Sequence, residues 1–428
     1  MNRPVLMQLG LRPLGNGDLV HAPVVRAGHW VFGTGLRAVG ADGLLDAGVL
    51  RAHAPLSPPP QAQREAAFVF DRMKDLLARA GSSLARVVRV DQYYTSPDSV
   101  DPYHVARKRA MAGQVAPSTS VILPGLLNTD ALLDVQCLAL ADDSPHAIER
   151  VQPAGVGAPA TSGYAPAVRA GDLVFVAGQL ARDAGGGIAA EARVPDGQQW
   201  NGTRIRRETD YLIAQRLAPA LEAAGSGLDL VVKAQVYLSH ATDLPAFWQS
   251  WAAGFGSRIP PTTVVPVPHP AFGTREATVE VNLIAAHASA RDRLRDLRCD
   301  LTLQGPDALA ACVVDGLVFM GGLDAADAGG LASSARVHDT APWFHSPAGA
   351  QMRVILDKAE VILRAAGSDL SRITRLLQFH RDLSGYHAAH AAAAARSGSP
   401  ALPTTAVAVN PSLFVPGSVL IADIWAAA

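Results

Sequence analysis

The chain has 428 residues, 49% of them hydrophobic and 18% charged, and its formal net charge is −1. This charge gives no field that would attract nucleic acid or anionic lipid, so we expect neither a nucleic-acid nor a membrane partner. Lysine occurs only at positions 74, 108, 233 and 358, and the positive charge is otherwise arginine. The chain also lacks a secretory signal segment, an apolar run of the roughly 18 residues that span a bilayer, and a cysteine framework, which favours a cytoplasmic protein.

A repeated pattern divides the chain into thirds. Gly81, Gly225 and Gly367 each follow a helix-like segment and precede a β-branched run, and they lie 144 (225 − 81) and 142 (367 − 225) residues apart. Glycine suits this place because the residue that stops a helix adopts a left-handed backbone. Copies of about 140 residues have a common domain size and would fill the chain. We predict three modules, over residues 1–145, 155–288 and 303–428.

Each predicted module has the same order of elements. A glycine-turn hairpin comes first, then a helix with apolar residues at i, i+3, i+4 and i+7, the glycine-stopped strand, a second helix and two closing strands. The second helices are predicted near 103–111, 244–255 and 386–395. The closing strands are predicted at 118–123, 132–140, 262–267, 277–285, 404–409 and 419–425. Connectors at 142–161 and 287–306 separate the modules. The predicted fold class is α+β, with the order ββαβαββ and helices on one sheet face.

Five segments of the second module follow one another in a specific order, namely Tyr164–Val168, Val174–Gln179, Ala224–Leu228, Val231–Leu238 and Val279–Ala285. In this order and spacing they resemble the RidA/YjgF family, the reactive-intermediate deaminase superfamily. The resemblance implies chorismate-mutase-like α+β subunits that assemble as homotrimers, with sheets inward, helices outward and a ligand cleft at each interface. Three tandem modules would then form an intramolecular pseudo-trimer, either a monomer or a higher assembly of it, with a small-molecule substrate and no cofactor.

Family deaminases carry an arginine on the first closing strand, where it holds the substrate carboxylate. Thr119, Thr263 and Thr405 stand at this position here. Loss of a charge-assisted contact removes on the order of 1.5–3 kcal/mol per hydrogen bond. The resemblance therefore implies that an α-imino acid binds poorly, and that the three threonine hydroxyls bind a neutral polar group of the substrate instead.

The family also carries a glutamate on the last strand, which is proposed to orient water or move protons. We match Asp134, Glu280 and Asp423 to this position. A carboxylate between apolar neighbours, as in Val279-Glu280-Val281, is partly desolvated, so its pKa rises toward a value that suits general acid–base catalysis. The alternative is an acid that faces solvent or makes a structural ion pair.

The family tyrosine ahead of the first hairpin strand is matched by Tyr164, whereas His21 and Leu309 stand there in the other modules. Gly178 and Gln179 match a Ser-Gly-Gln turn, and the glutamine is absent from the other two modules. The resemblance implies that Tyr164, Gly178 and Gln179 contact the substrate. It also implies that the three clefts differ in chemistry.

Other polar and aromatic residues have simpler expected roles. Arg89, Lys233 and Arg375 recur at one position of the glycine-stopped strand, where we expect a solvated cation that points outward. Trp200 and Trp343 precede the long helices, and we expect them to pack as core or lid residues rather than to floor a cleft. Histidines at metal-ligand spacing are absent, so we expect no metal site.

These observations favour a metal-free hydrolase or deaminase that acts on a small enamine, imine, enol ether or ring metabolite. Carboxylate acid–base catalysis would take place at the clefts between modules. The alternative is a sensor or carrier that binds a metabolite without turning it over. Endoribonuclease activity, which has been attached to the family, is disfavoured by the near-neutral charge and the scarcity of lysine.

Overall fold

A computed structural model describes residues 5–14, 19–40, 42–51, 58–157, 161–198, 203–338, 345–409 and 412–428. Its strands form three large β-sheets, and helices cover one face of each. Within these ranges, no helix combines the length and the apolar character that a bilayer crossing requires.

The three sheets share one strand order. From one edge to the other, each sheet contains a leading strand, the two hairpin strands, the last closing strand and the glycine-stopped strand, which we call the middle strand. The first closing strand follows and runs parallel to the middle strand. The first sheet contains Leu6–Leu9, Val24–Ala27, Trp30–Leu36, Leu133–Ala141, Ser82–Tyr94 and Ser118–Ile122. The second contains Ile148–Val151, Ala167–Ala170, Leu173–Gln179, Val279–Ala286, Val231–Leu238 and Thr262–Pro266. The third contains Arg295–Leu297, Ala311–Val314, Leu317–Met320, Leu420–Ala427, Ile373–His380 and Thr404–Ala408, extended by Gly125–Leu126.

Two smaller ladders complete the β-structure. One joins Arg12–Pro13 and Val20–His21 from the start of the chain to Ala401–Leu402 near its end. The other is the hairpin of Ala326–Asp327 with Gly330–Leu331. The first ladder brings the N-terminal third against the C-terminal third, far apart in sequence.

Helices pack on the outer face of each sheet. They are Ala47–Leu50, Gln61–Arg79 and Val100–Ala110 in the first third, Thr203–Tyr211, Ala218–Ala223 and Leu244–Phe255 in the second, and Pro347–Ala366 and Tyr386–Ser397 in the third. The π-helical turn Leu212–Leu217 joins Thr203–Tyr211 to Ala218–Ala223. Helix Pro347–Ala366 shows why these segments are helical. The Ser346 side chain caps its start, one apolar face is buried, and Gly367 ends it with φ of 81°.

The predicted order of elements is confirmed in each third, and every closing strand begins within two residues of its predicted start. The predicted connectors are wrong in one respect. Ile148–Val151 and Arg295–Leu297 lie inside them, yet they are the leading strands of the second and third sheets. These strands are short, partly exposed and rich in charged residues because they lie at sheet edges, so they show no apolar alternation.

Backbone hydrogen bonds connect the thirds in a cycle. Ala165 N donates to Val115 O, Leu309 N donates to Ile259 O, and Ala22 N donates to Leu402 O, at 2.9 to 3.0 Å. In each pair the donor precedes a hairpin and the acceptor precedes a first closing strand of another third. The contacts therefore run from the first third to the second, from the second to the third, and from the third back to the first.

The inner faces of the three sheets bury one another. Trp30 lies 5.9 Å from Phe175, and Trp425 lies 6.5 Å from Phe32 and 5.2 Å from Phe319, between ring centroids. All five belong to one buried cluster with members from every sheet. Aromatic pairs of this kind contribute about 0.5–1.5 kcal/mol each beyond the burial of their area.

The middle strands meet in a buried polar cluster, and the prediction that Arg89, Lys233 and Arg375 are solvated is wrong. Each is at most 4% exposed, because these strands are covered by helices on one face and by the other sheets on the opposite face. We define the central polar cluster by its buried members, Arg89, Asp91, Gln136, Lys233, Gln235, Asn282, Arg375 and Asp423.

Two carboxylates serve three cations in this cluster. Arg89 Nε donates to Asp91 Oδ2 at 2.9 Å, while Asp423 lies between Lys233 Nζ at 3.2 Å and Arg375 Nη1 at 3.5 Å. Burial raises the pKa of Asp423, but the positive charges of Lys233 and Arg375 lower it more, so its pKa lies below the ordinary value. Asp423 is therefore ionised at neutral pH and holds the second and third sheets together.

We expect Asp423→Ala to lower the free energy of unfolding by about 3–5 kcal/mol, because it leaves two buried cations without their shared counter-charge. The native pKa of Asp423 is lowered, so its contribution is present above the ordinary aspartate pKa and is lost as the pH falls below it. Urea unfolding at neutral and acidic pH measures both effects. Asp75→Ala, which removes an exposed carboxylate of helix Gln61–Arg79, is the control. A loss for Asp423→Ala no larger than the control's would contradict the assignment.

Candidate functional site

Three clefts form where a first closing strand passes the hairpin of the next sheet. In each, a threonine predicted to bind substrate lies beside a hairpin glycine. The pairs are Thr119 with Gly178 in the first–second cleft, Thr263 with Gly322 in the second–third cleft, and Thr405 with Gly35 in the third–first cleft. The equivalent positions are therefore brought together, but the surrounding side chains differ.

Glu280 fills the first–second cleft. A Cβ added to Gly178 would overlap Oε1 of Glu280 and lie 3.3 Å from Cγ2 of Thr119, so the Glu280 carboxyl group lies directly against this glycine. Burial raises the pKa of Glu280 to about 8, against smaller lowering effects from Arg182 and from a backbone hydrogen bond of Ser120. Glu280 is thus mostly protonated at neutral pH and has the proton to donate that a general acid requires.

The other residues predicted to contact substrate in this cleft, Tyr164 and Gln179, form hydrogen bonds with arginines of the second third of the chain. The Tyr164 hydroxyl accepts a hydrogen bond from Arg182 Nη2 at 3.1 Å. Gln179 Oε1 accepts from Arg216 Nη2 at 3.0 Å, and Arg216 lies in the π-helical turn. Such turns occur often at functional sites. These contacts give the cleft two arginines that the closing-strand position lacks.

Gln304 fills the second–third cleft. Its side-chain amide accepts from Val264 N at 2.9 Å and donates to Val264 O at 3.2 Å, as a further strand residue would. A Cβ on Gly322 would overlap Gln304 Oε1. The Thr263 hydroxyl accepts from Lys233 Nζ at 2.6 Å and is therefore engaged in the central polar cluster. This cleft has little room for a ligand.

A cavity of about 280 Å³ occupies the third–first cleft. Three arginines from separate elements line it, Arg12 from a short strand, Arg37 after the first hairpin, and Arg72 from helix Gln61–Arg79. Nη1 of Arg12 and Nη1 of Arg72 each donate to Val39 O at 2.8 Å, which fixes both side chains at the cavity. The site thus concentrates positive charge without an arginine on the closing strand.

Two side chains fix the Arg37 guanidinium by accepting hydrogen bonds from it. Its Nη1 donates to Asp134 Oδ2 at 2.6 Å and its Nε donates to Asn128 Oδ1 at 2.8 Å. Asp134 is fully buried, and burial raises its pKa to about 6 although Arg37 lowers it. The acid predicted to act on substrate therefore orients the guanidinium that lines the cavity.

His21 supplies a neutral imidazole to the same cavity. It is 5% exposed, and its Nε2 has no hydrogen-bond partner among the described residues. Burial lowers the pKa of His21 to about 3, with Arg37 adding to the effect. A neutral, unpartnered ring nitrogen in a polar cavity can hold a water molecule or a donor group of a ligand.

The equivalence assumed for Asp423 is wrong. Asp134 pairs with Tyr93 and Glu280 with Tyr237, and the corresponding partner in the third sheet, Phe379, pairs with Ile421. Asp423 lies two residues further along the strand, in the central polar cluster rather than in a cleft. The shift was invisible in the sequence because a displacement of two residues keeps every side chain on the same sheet face.

Sequence reasoning also missed the arginines of the third–first cleft. It sought a cation at the closing-strand position, where Thr405 instead accepts from Gly35 N at 2.7 Å. Arg37, two residues after Gly35, was the available signal, because residues that follow a hairpin glycine face the same cleft. Arg12 and Arg72 come from segments that no motif marked. Trp200 and Trp343 lie outside the described residues.

The reported comparisons with known proteins each cover about a third of the chain or less. The family model described as Endoribonuclease L-PSP matches residues 156–287. A RutC family protein of Saccharolobus solfataricus is 30% identical over 122 residues, 28% of this chain and 85% of that protein. The mitochondrial protein mmf2 of Schizosaccharomyces pombe is 29% identical over 123 residues, 29% of this chain and 86% of that protein.

Solved structures resemble a third of the chain as well. The crystal structure of yeast Mmf1 is 22% identical, with a TM-score of 0.26, over 33% of this chain and 99% of that one. The crystal structure of RidA from the Antarctic bacterium Psychrobacter sp. PAMC 21119 is 22% identical, with a TM-score of 0.26, over 32% of this chain and 98% of that one.

We expect Glu280→Gln to flatten the pH dependence of stability. The folded-state pKa of about 8 lies above the ordinary 4.5, so the contribution of Glu280 is fully present below pH 4.5 and is lost as the pH rises through 8. Across this window the free energy of unfolding of the wild-type chain should fall by on the order of 4 kcal/mol, and that of the variant should not.

Denaturant unfolding at several pH values between 5 and 9 checks this expectation. Glu149→Gln is the control, because that carboxylate is exposed on an edge strand. Parallel pH profiles for the wild-type chain and Glu280→Gln would show that Glu280 titrates as an ordinary surface acid, against the assignment.

Proposed function

Because this chain belongs to the RidA/YjgF family, we propose that it is a small-molecule hydrolase or deaminase whose substrate is an anion bound in the third–first cleft. One observation carries the proposal: Arg12, Arg37 and Arg72 converge on a cavity of about 280 Å³ beside the neutral ring of His21. A volume near 300 Å³ is at the small end of ligand sites and suits a metabolite rather than a polymer.

We further propose that the chain is an intramolecular pseudo-trimer of three RidA-like modules. The shared strand order of the three sheets, the common core of their inner faces and the cyclic backbone contacts support this arrangement. Each module then begins with its leading strand, ahead of the boundaries at 155 and 303 that the sequence predicts for the second and third modules. Tethering makes the interfaces independent of concentration, so each cleft is free to diverge.

The charge balance of the cavity favours an anionic ligand. Three guanidinium groups line it, and among the described residues Asp134, bonded to Arg37, is the one carboxylate that contacts them. Each charge-assisted hydrogen bond to a ligand carboxylate or phosphate contributes on the order of 1.5–3 kcal/mol. The arginine missing from the closing strand is thus replaced in this cleft by arginines of other elements, and an α-imino acid is a candidate substrate class.

Each residue has a separate role in the proposed reaction. Arg37, oriented by Asp134 and Asn128, holds the anionic group of the substrate. His21 Nε2 accepts a hydrogen bond from the attacking water. Water adds to the C=N carbon of an imine, a proton moves from oxygen to nitrogen, and the nitrogen leaves as ammonia while a C=O bond forms. Glu280 remains a candidate acid for a second reaction site in the first–second cleft.

The second candidate function is binding without turnover. The observation that favours it is the lining of the cavity, which includes no carboxylate among the described residues, while Asp134 Oδ2 is paired with Arg37. In that case the three clefts would differ because only one of them holds the metabolite. Endoribonuclease activity, suggested by the description of the family model, has less support because the chain has a net charge of −1.

We expect Arg12→Ala and Arg72→Ala each to weaken anion binding about tenfold, the loss of roughly 1.4 kcal/mol of charge-assisted contact. Calorimetry with inorganic phosphate, a monocarboxylate and a dicarboxylate measures affinity. Release of ammonia from an α-imino acid generated in situ measures turnover.

Arg353→Ala is the matched control, because Arg353 is exposed on the outer helix Pro347–Ala366. Unchanged anion affinity in both cavity variants would refute the proposed site. Binding that depends on Arg12 and Arg72 without ammonia release would favour the carrier over the enzyme.

A further inference from the structure

The turns of the three hairpins converge at one end of the molecule. They are the two-residue turns Gly28–His29, Gly171–Asp172 and Asp315–Gly316. The His29 ring contacts the His146 ring at 4.9 Å between centroids, and a Cβ on Gly171 would lie 2.7 Å from His146. All three thirds of the chain therefore meet around His146.

Three metal-ligating side chains come together at this point. His29, His146 and Asp315 each place one ligand atom within 4.8 Å of those of the other two. His29 Nε2 lies 3.0 Å from Asp315 Oδ2, with side-chain exposures of 27% and 12%. The group is accessible to an ion from solvent, yet it is held by the surrounding turns.

The carboxylate of Asp315 is fixed in place. Trp30 Nε1 donates to Asp315 Oδ2 at 3.0 Å. Asp315 itself has φ of 52° in a two-residue turn with Gly316, a backbone that matches the twist of a hairpin. Hydrogen bonds of this kind orient metal-binding carboxylates in known sites.

The ligand types favour a cation. Among the nearby charges, Arg26 pairs with Asp143 and Arg293 pairs with Asp172, whereas Arg86 donates to the backbone oxygens of Ala141 and His146. Asp315 is the acid of the group, and its Oδ2 lies 3.0 Å from Nε2 of His29. Two histidines and one carboxylate form a ligand set that suits zinc and its neighbours among the divalent transition metals.

We propose that His29, His146 and Asp315 form a binding site for a divalent transition-metal ion of the zinc type, which joins the hairpin of the first sheet to that of the third through the connector that carries His146. In tetrahedral coordination with metal–ligand distances of about 2.0–2.1 Å, ligand atoms lie roughly 3.4 Å apart, so small side-chain rotations from the observed positions suffice. The ion takes the place of the hydrogen bond between His29 Nε2 and Asp315 Oδ2, and water completes its coordination.

This proposal replaces the sequence-based expectation of no metal site. That expectation rested on the absence of histidines at metal-ligand spacing in the chain. His29, His146 and Asp315 come from the first hairpin, the first connector and the third hairpin, and only the packing of the three thirds brings them together.

Titration of the full chain with Zn²⁺ and with Co²⁺ tests the site. Isothermal calorimetry should show one metal ion bound per chain, and the Co²⁺ complex should show the visible absorption of a low-coordinate site. We expect Zn²⁺ to raise the unfolding temperature, because an ion that binds the folded state stabilises it. His146→Ala and Asp315→Asn should each weaken metal binding more than about tenfold.

Asp315→Asn retains an oxygen for Trp30, so it separates loss of the ligand charge from loss of the fold. His269→Ala is the control, because His269 forms an exposed ring pair with His240 at 5.5 Å and could hold a surface ion. Binding that survives in both site variants, binding that is lost in His269→Ala, or absence of saturable binding to the wild-type chain would overturn the proposal.

Discussion

Three cations meet in the interior of this protein with two carboxylates to balance them. Arg89, Lys233 and Arg375 occupy equivalent positions on the middle strands of the three sheets, and none of them reaches solvent. Burying unbalanced charge costs several kcal/mol, so these side chains constrain everything around them. Asp91 pairs with Arg89 and also lies 4.0 Å from Arg375, and Asp423 is shared by Lys233 and Arg375. The balancing carboxylate of the third sheet, Asp423, lies on its last strand, whereas Asp91 lies on the middle strand of the first sheet.

This constraint explains much of why the three clefts contain different side chains. The last strand of the third sheet places Ile421 at the cleft position and Asp423 in the central polar cluster, and the second–third cleft is filled by Gln304. The first–second cleft is filled by the protonated acid Glu280. Only the third–first cleft holds the arginine-lined cavity among the described residues. Separate identical subunits could not differ in this way, whereas one chain can assign a different task to each interface.

The sequence predicted the elements well because they depend on local patterns. Glycine-stopped helices, two-residue turns and apolar alternation recur in each third, and Gly367 adopts the left-handed backbone expected of it. The site was harder, because it depends on which elements from different thirds meet. Asp423 was misplaced by a shift of two residues that preserves alternation. Arg12 and His146 lie in segments without a pattern, and the apolar periodicity around Arg72 predicts its helix but not its contact with the cavity. Burial of Lys233 could not be anticipated, since it results from packing between the sheets.

The central claim is that the three clefts are unequal and that the one between the third and first sheets binds an anion. An experimental structure of the chain crystallised with a small carboxylate or phosphate tests it most directly. Density bridging Arg12, Arg37 and Arg72, with Glu280 and Gln304 filling the other two clefts, is the result that the account predicts. Ligand density beside Glu280 with an unoccupied arginine-lined cavity would contradict it.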